Sequence, residues 1–449
     1  MLAIPIIFMN LLQVAYQLTD AFWVGRLGAD AVASVSVSFP ITFLLISIIT
    51  GFTIAGSSLV AQYAGAHNHK KVNHVTAQTF ILVTFASIIF GVVGWFLSPF
   101  LLQLMYVSPK VSGNALRFLR VLFLGLPFMF GFAVFQSVMR GVGQVKIPMI
   151  IILGTTTLNF LLDPLFIFGW RNIPAFGVSG AAMATFGTQT LAALIGLFLL
   201  LRGTFSIRIS FSDFIPDIPF IKKLFFLGLP ASLEQSIRSL GILTMTFLVT
   251  SFGTITTAVY GVGSNILQVI IIPALGLSMA SSVLVGHNIG AGKMKRAHDT
   301  AVLGASISFV FLSLVGIIVF IFAPHLVRFF VPNDSEVVQQ GAVFVRIMAL
   351  SFGFLGVQMS LSGVFRASGN MTIPLLFSVI SLWVLQFPIA YILSKHTTLH
   401  EVGIWWAFPV SYILTALLTV IWFLRGDWKH RRLINEEEAT EVLVENTIR

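Results

Sequence analysis

The sequence predicts an all-α polytopic membrane protein with twelve transmembrane helices in two pseudo-symmetric six-helix lobes. Three observations predict it. Of 449 residues, 57% are hydrophobic and only 9% charged, against roughly 25% charged in soluble domains. Apolar stretches of the length that crosses hydrocarbon, about 20 residues, recur along the whole chain. The second half also repeats motifs of the first at a nearly constant offset. Charge this sparse excludes a soluble globular enzyme and a disordered chain.

The spans are expected near residues 2–25, 34–62, 76–105, 116–138, 146–169, 177–202, 221–250, 256–287, 300–323, 341–364, 373–394 and 402–424. Polar punctuation separates them: His67-Asn68-His69-Lys70-Lys71, Ser108-Pro109-Lys110, Arg140-Gly141-Val142-Gly143, Lys293-Met294-Lys295-Arg296 and Pro332-Asn333-Asp334. The chain begins MLAIPIIFMN without a basic stretch, so a cleaved leader is not expected. There is no Cys, no His-Glu-x-x-His pair and no phosphate-binding Gly-x-x-x-x-Gly-Lys loop, which removes thiol chemistry, a zinc protease site and ATP-driven transport by this chain alone. No enzymatic activity and no cofactor are expected.

Basic residues set the orientation. There are 26 Lys and Arg against 16 Asp and Glu. Lys70, Lys71, Arg140, Lys146, Arg202, Arg208, Lys222, Lys223, Lys293, Lys295, Arg296, Arg366 and the tail residues Arg425, Lys429, Arg431 and Arg432 fall in connections on one side. The opposite connections hold few, so both termini are expected in the cytoplasm of a plasma-membrane protein. The net charge of +10 is thus read as orientation, not as nucleic-acid binding.

Val138-Met139-Arg140-Gly141-Val142-Gly143 with Pro148 matches Val364-Phe365-Arg366-Ala367-Ser368-Gly369 with Pro374 at an offset of 226. Gln62-Tyr63-Ala64-Gly65-Ala66 matches His287-Asn288-Ile289-Gly290-Ala291 at 225, as Gly28 matches Gly253, and Gly177 is paired with Gly403 at 226. An even number of spans per copy makes this a parallel repeat, of the kind in which substrate is held between or within the bundles. The expected organisation is an N-terminal lobe at 1–203, a cytoplasmic linker at 204–219, a C-terminal lobe at 220–425 and a tail at 426–449. The tail patch Glu436-Glu437-Glu438 reads as a solvated end.

Three acids are placed within spans: Asp20, Asp163 and Glu234. A carboxylate in hydrocarbon costs at least about 2.5 kcal/mol and is paired, near an interface, or functional. Gln13, Tyr16, Gln17 and Asp20 recur at helical spacing and share one stripe. Asp20 is read as an interior proton- or cation-binding carboxylate, with pairing to Arg26 as the alternative. Asn159 and Asp163 are neighbours on one helix face, and Pro164 withholds an N–H from the turn before it; carboxylate, amide oxygen and freed carbonyl are oxygen ligands suited to Na⁺ or a proton relay. Glu234 and Arg238, four apart, are expected to neutralise each other. His67, His69, His74, His287 and His298 read as solvated loop residues with no carboxylate nearby. In the second lobe the positions matching Asp20 and Asp163 fall near Met245 and Phe387, both apolar, leaving Asn265, Gln268, Gln358, Ser360 and Gln386 as polar interior candidates.

Asp20-Ala21-Phe22-Trp23-Val24-Gly25-Arg26-Leu27-Gly28, Met139-Arg140-Gly141-Val142-Gly143, Asn159 through Pro164 and Gly180-Ala181-Ala182-Met183-Ala184-Thr185 together resemble the multidrug and toxic compound extrusion (MATE) family over essentially the whole chain, and most closely its DNA-damage-inducible-F-like branch. The resemblance implies a secondary antiporter that expels organic cations and amphiphilic drugs in exchange for H⁺ or Na⁺. It implies a coupling site at Asp20, Asn159, Asp163 and Thr185, which could hold Na⁺, with Gln13 and Tyr16 joining Asp20 and Asp163 in the substrate pocket. A longer connection, Trp170–Phe176, separates Asp163 from Thr185 here. The NorM-like branch carries a span-7 Glu two turns after a Gly-x-Pro and an acid in span 10; Glu234 stands one turn after Pro230 and no acid lies near Gln358, so a second-lobe Na⁺ site is not expected. The partners implied are small-molecule drugs and membrane lipid, with no nucleic acid, and the chain is expected to act as a monomer. The alternative reading is a lipid-linked or polysaccharide-precursor flippase of the wider superfamily, which carries more basic residues in its cavity.

Overall fold

In the computed structural model, which describes residues 2–105, 107–171, 174–203 and 207–434, the chain is helical from end to end. The acidic patch Glu436–Glu438 and linker residues 204–206 lie outside the described residues. The first unit, Met1–Ser232, holds α1 (Ala3–Gly25), α2 (Ala29–Gly65), α3 (His69–Leu104), α4 (Pro109–Gly141), α5 (Lys146–Phe168) and α6 (Val178–Arg202). α7 (Ile218–Thr250) crosses into the second unit, Leu233–Arg449, which continues with α8 (Thr254–Gly290), α9 (Met294–Phe330), α10 (Ser335–Ala349), α11 (Phe352–Ala367), α12 (Thr372–Val379), a π-helical turn (Ile380–Gln386), α13 (Phe387–Lys395) and α14 (His400–Arg425).

These segments make twelve spans: α10 and α11 form one, bent by 49°, and α12, the π turn and α13 form another. The bend follows from local closure, because the backbone N–H of Ser351 (3.0 Å) and its hydroxyl (2.8 Å) both donate to the Met348 carbonyl and end the first piece. Among the described residues, nine helices are long and apolar enough to cross alone, ten with the bent pair. α1 and α7 complete the twelve. Each opens its lobe and carries an acid, Asp20 or Glu234, which dilutes its apolar character.

Backbone geometry bears out the repeat and refines its register. Gly28 (φ 104°, ψ 178°) and Gly253 (φ 101°, ψ −179°) precede α2 and α8 in the same conformation, one closed to residues with a Cβ. α6 and α14 both end at a left-handed glycine, Gly203 and Gly426, an offset of 223 rather than 226. The pairing of Gly177 with Gly403 is therefore corrected: Gly177 lies before α6, whereas Gly403 lies inside α14. Its mate is Gly180, since a side chain on Gly180 would meet the Phe166 backbone and one on Gly403 the Leu393 backbone. The longer connection after α5 accounts for the shift.

The fifth span of each lobe is equally informative. α5 buries Pro148, Ile152, Thr155, Asn159, Asp163 and Ile167; its counterpart buries Pro374, Ser378, Ser381, Gln386, Ala390 and Ser394. The offset is 226 up to Ser381 and 227 from Gln386 onward, and the π turn between them holds the additional residue. The mate of Asn159 is thus Gln386, and that of Asp163 is Ala390 rather than the vicinity of Phe387.

Small residues let the helices approach. α4 packs against α2, α3 and α6, and α5 against α1 and α6; in the second unit α11 packs against α8, α9 and α14. Gly196 admits the Phe135 ring and Gly263 the Phe344 ring. Phe344 in turn packs, tilted, against Trp405 with ring centroids 4.2 Å apart. Outward faces of Phe, Leu and Ile suit lipid, where packing and not burial from water drives association.

Two loop readings change. His74 has a carboxylate after all: its Nε2 lies 3.1 Å from Asp217 Oδ2. Beside it, Gln78 Nε2 donates to the carbonyls of Asp213 (2.9 Å) and Ile215 (2.8 Å), while its Oε1 accepts from Asp217 N (2.9 Å), so the chain after residue 207 is pinned along α3. His298 is no solvated residue either, but stacks on Phe423 at 5.3 Å and on Trp428 at 6.3 Å.

Candidate functional site

Within the first unit, α1, α5 and α6 bring a polar cluster into an apolar interior. Asp20 sits on the stripe of α1 that also turns Tyr16 inward, four residues earlier. Thr185, on α6, donates to Asp20 Oδ2 at 3.1 Å. Thr188, one turn further, lies 2.5 Å from the Tyr16 hydroxyl. On α5, Asn159 and Asp163 are fully buried, and Asn159 Nδ2 donates to Asp163 Oδ1 at 3.2 Å. α5 runs through Pro164 to Phe168 without a break, so the proline leaves the Phe160 carbonyl without its helical donor but does not end the helix.

Four of the residues expected from sequence, Asp20, Asn159, Asp163 and Thr185, therefore meet together with Tyr16. Gln13 and Gln17 lie on the exposed side of α1. Arg26 does not pair with Asp20; its guanidinium lies 4.7 Å from the Phe22 ring and 5.3 Å from the Trp23 ring. Thr188 is a member that sequence reasoning missed, although its place one turn after Thr185 on a small-residue helix was the available signal.

The asymmetry of this cluster matters chemically. Its donors are used: the Thr185 hydroxyl and the Asn159 amide are both spent on carboxylates. Three buried oxygens, Asp20 Oδ1, Asn159 Oδ1 and Asp163 Oδ2, have no hydrogen-bond donor. Asp20 and Asp163 bring two like charges into this one cluster. Unsatisfied buried acceptors carry a cost of roughly 1–3 kcal/mol each. A proton or a hard cation relieves that cost, since both favour oxygen donors. The residues fit Na⁺ by donor type, with two carboxylates and one amide oxygen.

The second unit holds a different cluster. Glu234, 2% exposed, receives Arg366 Nη2 at 2.7 Å, Arg238 Nη2 at 3.0 Å and the Ser378 hydroxyl at 3.4 Å, all on Oε1. The expected pairing of Glu234 with Arg238 is present, but the shorter bond comes from Arg366, which the sequence reading put in a loop. By the refined register the first-lobe mates are Met9, Gln13, Arg140 and Ile152, and the second-lobe mates of Asp20, Asn159, Asp163 and Thr185 are Met245, Gln386, Ala390 and Phe408. Each lobe thus keeps one buried ionic cluster at its own place. Asn265 and Gln268 are exposed, and Gln358, Ser360 and Gln386 are buried.

The comparisons with known proteins agree with this architecture. The MatE family model matches residues 5–165 and 230–392, one stretch per repeat. The probable multidrug resistance protein YpnP of Bacillus subtilis is 30% identical over 97% of this chain and 96% of its own length. The probable multidrug resistance protein NorM of Thermotoga maritima is 28% identical over 98% and 95%. Among solved structures, a MATE protein in complex with MaL6 aligns with a TM-score of 0.87 at 25% identity, covering 96% of each chain. The same score, identity and coverage of this chain hold for MATE in a bent conformation, which is covered to 95%. This chain, a multi-pass membrane protein, belongs to the MatE family of multidrug efflux transporters.

Proposed function

We propose that the chain is a secondary antiporter that exports cationic and amphiphilic drugs in exchange for H⁺ or Na⁺, with Asp20 and Asp163 as coupling carboxylates. The observation that carries the reading is the set of three donorless buried oxygens on Asp20, Asn159 and Asp163. Ion and cationic substrate compete for the same negative charge. When the ion binds, the carboxylates no longer hold the substrate, and the hydrogen bonds joining α1, α5 and α6 rearrange. Thr185 orients Asp20, Asn159 orients Asp163, and Tyr16 with Gln13 lines the approach. In this reading the lobes are residues 1–203 and 220–425, both termini face the cytoplasm, and the chain acts as a monomer at the plasma membrane.

The test is dye or drug efflux from proteoliposomes under separately imposed H⁺ and Na⁺ gradients. Asp20→Asn and Asp163→Asn should each abolish efflux driven by the coupling gradient while leaving the protein folded. Full gradient-driven transport by Asp20→Asn would exclude the coupling role.

A further inference from the structure

We propose that the second lobe carries an oxyanion subsite at Arg238 and Arg366, built to take the carboxylate of an exported substrate. The proposal deepens the export reading and rests on it. Two guanidiniums share one carboxylate, so the cluster keeps a net positive charge in an interior where an unbalanced charge is costly. Both guanidiniums and the Ser378 hydroxyl converge on the same Glu234 oxygen, which leaves the guanidiniums' remaining N–H groups for other acceptors. Arg366 Nε is buried and has no acceptor. The side chain of Arg238 is 34% exposed, the accessible edge of the cluster. A planar, forked donor pair with spare N–H groups matches a carboxylate in two-point contact.

The first lobe offers no such arrangement. At the places of Glu234 and Arg238 it has Met9 and Gln13, and its own buried cluster is anionic.

The experiment uses the purified full-length protein in detergent and two dyes that differ by one group: rhodamine 110, a zwitterion with a free carboxylate, and its methyl ester rhodamine 123. Affinities are read by fluorescence anisotropy. Arg238→Gln leaves the short Glu234–Arg366 pair in place and should lower the acid-to-ester affinity ratio about tenfold, the worth of one charge-assisted contact. Glu234→Gln frees both guanidiniums and should raise that ratio. A ratio unmoved by either variant overturns the subsite. So does weakening, in Arg238→Gln, of a short-chain phosphatidic acid in place of the acid dye, which would assign the cluster to a lipid headgroup. Efflux of the ester from proteoliposomes is read in parallel: its absence counts against the export reading, whereas ester efflux with an unmoved ratio counts against the subsite alone.

Discussion

Removing Arg366 should cost far more stability than removing Arg238, although both contact Glu234. Arg366→Met keeps bulk and deletes the 2.7 Å bond to a carboxylate that is 2% exposed. Breaking a buried pair from one side costs roughly 3–5 kcal/mol because a charge is stranded. Arg238 remains 3.0 Å away and compensates in part, so the lower end, about 3 kcal/mol, applies. Arg238→Met removes an i, i+4 pair whose cation is a third exposed; solvent screening puts such a pair near 0.3–0.5 kcal/mol, and the loss should stay below about 1 kcal/mol. In a Glu234→Gln background no carboxylate is stranded, so the Arg366→Met cost should shrink by roughly 2 kcal/mol, a coupling that a double-mutant cycle measures. The assay is thermal unfolding in detergent, followed by loss of the monodisperse peak on size exclusion. Equal losses for the two arginines, or an Arg366→Met loss undiminished in the Glu234→Gln background, would refute this account of the cluster.

Thr185→Val removes the 3.1 Å hydroxyl bond to Asp20 at nearly constant volume; a bond to a charged acceptor is worth about 1.5–3 kcal/mol, so the ion concentration for half-maximal efflux should move at least tenfold, and an unchanged ion titration would remove Thr185 from the site. Gly403→Ala would place a Cβ 2.6 Å from the Leu393 carbonyl carbon, and Gly180→Ala would collide with the Phe166 carbonyl, whereas Gly154→Ala meets nothing within 4 Å; expression of folded protein should fall for the first two and hold for the third. Gln78→Leu deletes three bonds to residues 213–217; limited proteolysis should then cut that segment faster, and an unaltered cleavage rate would show that Gln78 does not hold it.

Much of this was legible in the chain itself. Spans, repeat and the clustering of Asp20 with Asn159, Asp163 and Thr185 follow from hydropathy, spacing and resemblance, because helix periodicity fixes which residues share a face. What escaped has physical reasons. Arg366 looked like a loop cation because it ends a helix beside polar residues, yet its long side chain reaches back to Glu234. His74 looked solvated because its carboxylate partner, Asp217, is 143 positions away. Gln13 shares its spacing with Tyr16 and Asp20, but a stripe broader than the contact leaves its margin exposed. The register of the last two spans shifted because a longer connection and an inserted residue alter counting without altering packing.

The π turn at Ile380–Gln386 has a consequence for how insertions and deletions act in this chain. An extra residue in an ordinary helix turns everything after it by about 100°. Here the wider turn absorbs it, and Ala390 and Ser394 keep the inward places that Asp163 and Ile167 hold in the other half. Deleting one residue between Ser381 and Gln386 is therefore tolerated only if the turn closes to an α-helix at the same time. An alignment of the two halves that puts its gap after that turn will pair Asn159 with the half-buried Leu385, and one that puts it before the turn will pair Thr155 with Leu382 instead of Ser381.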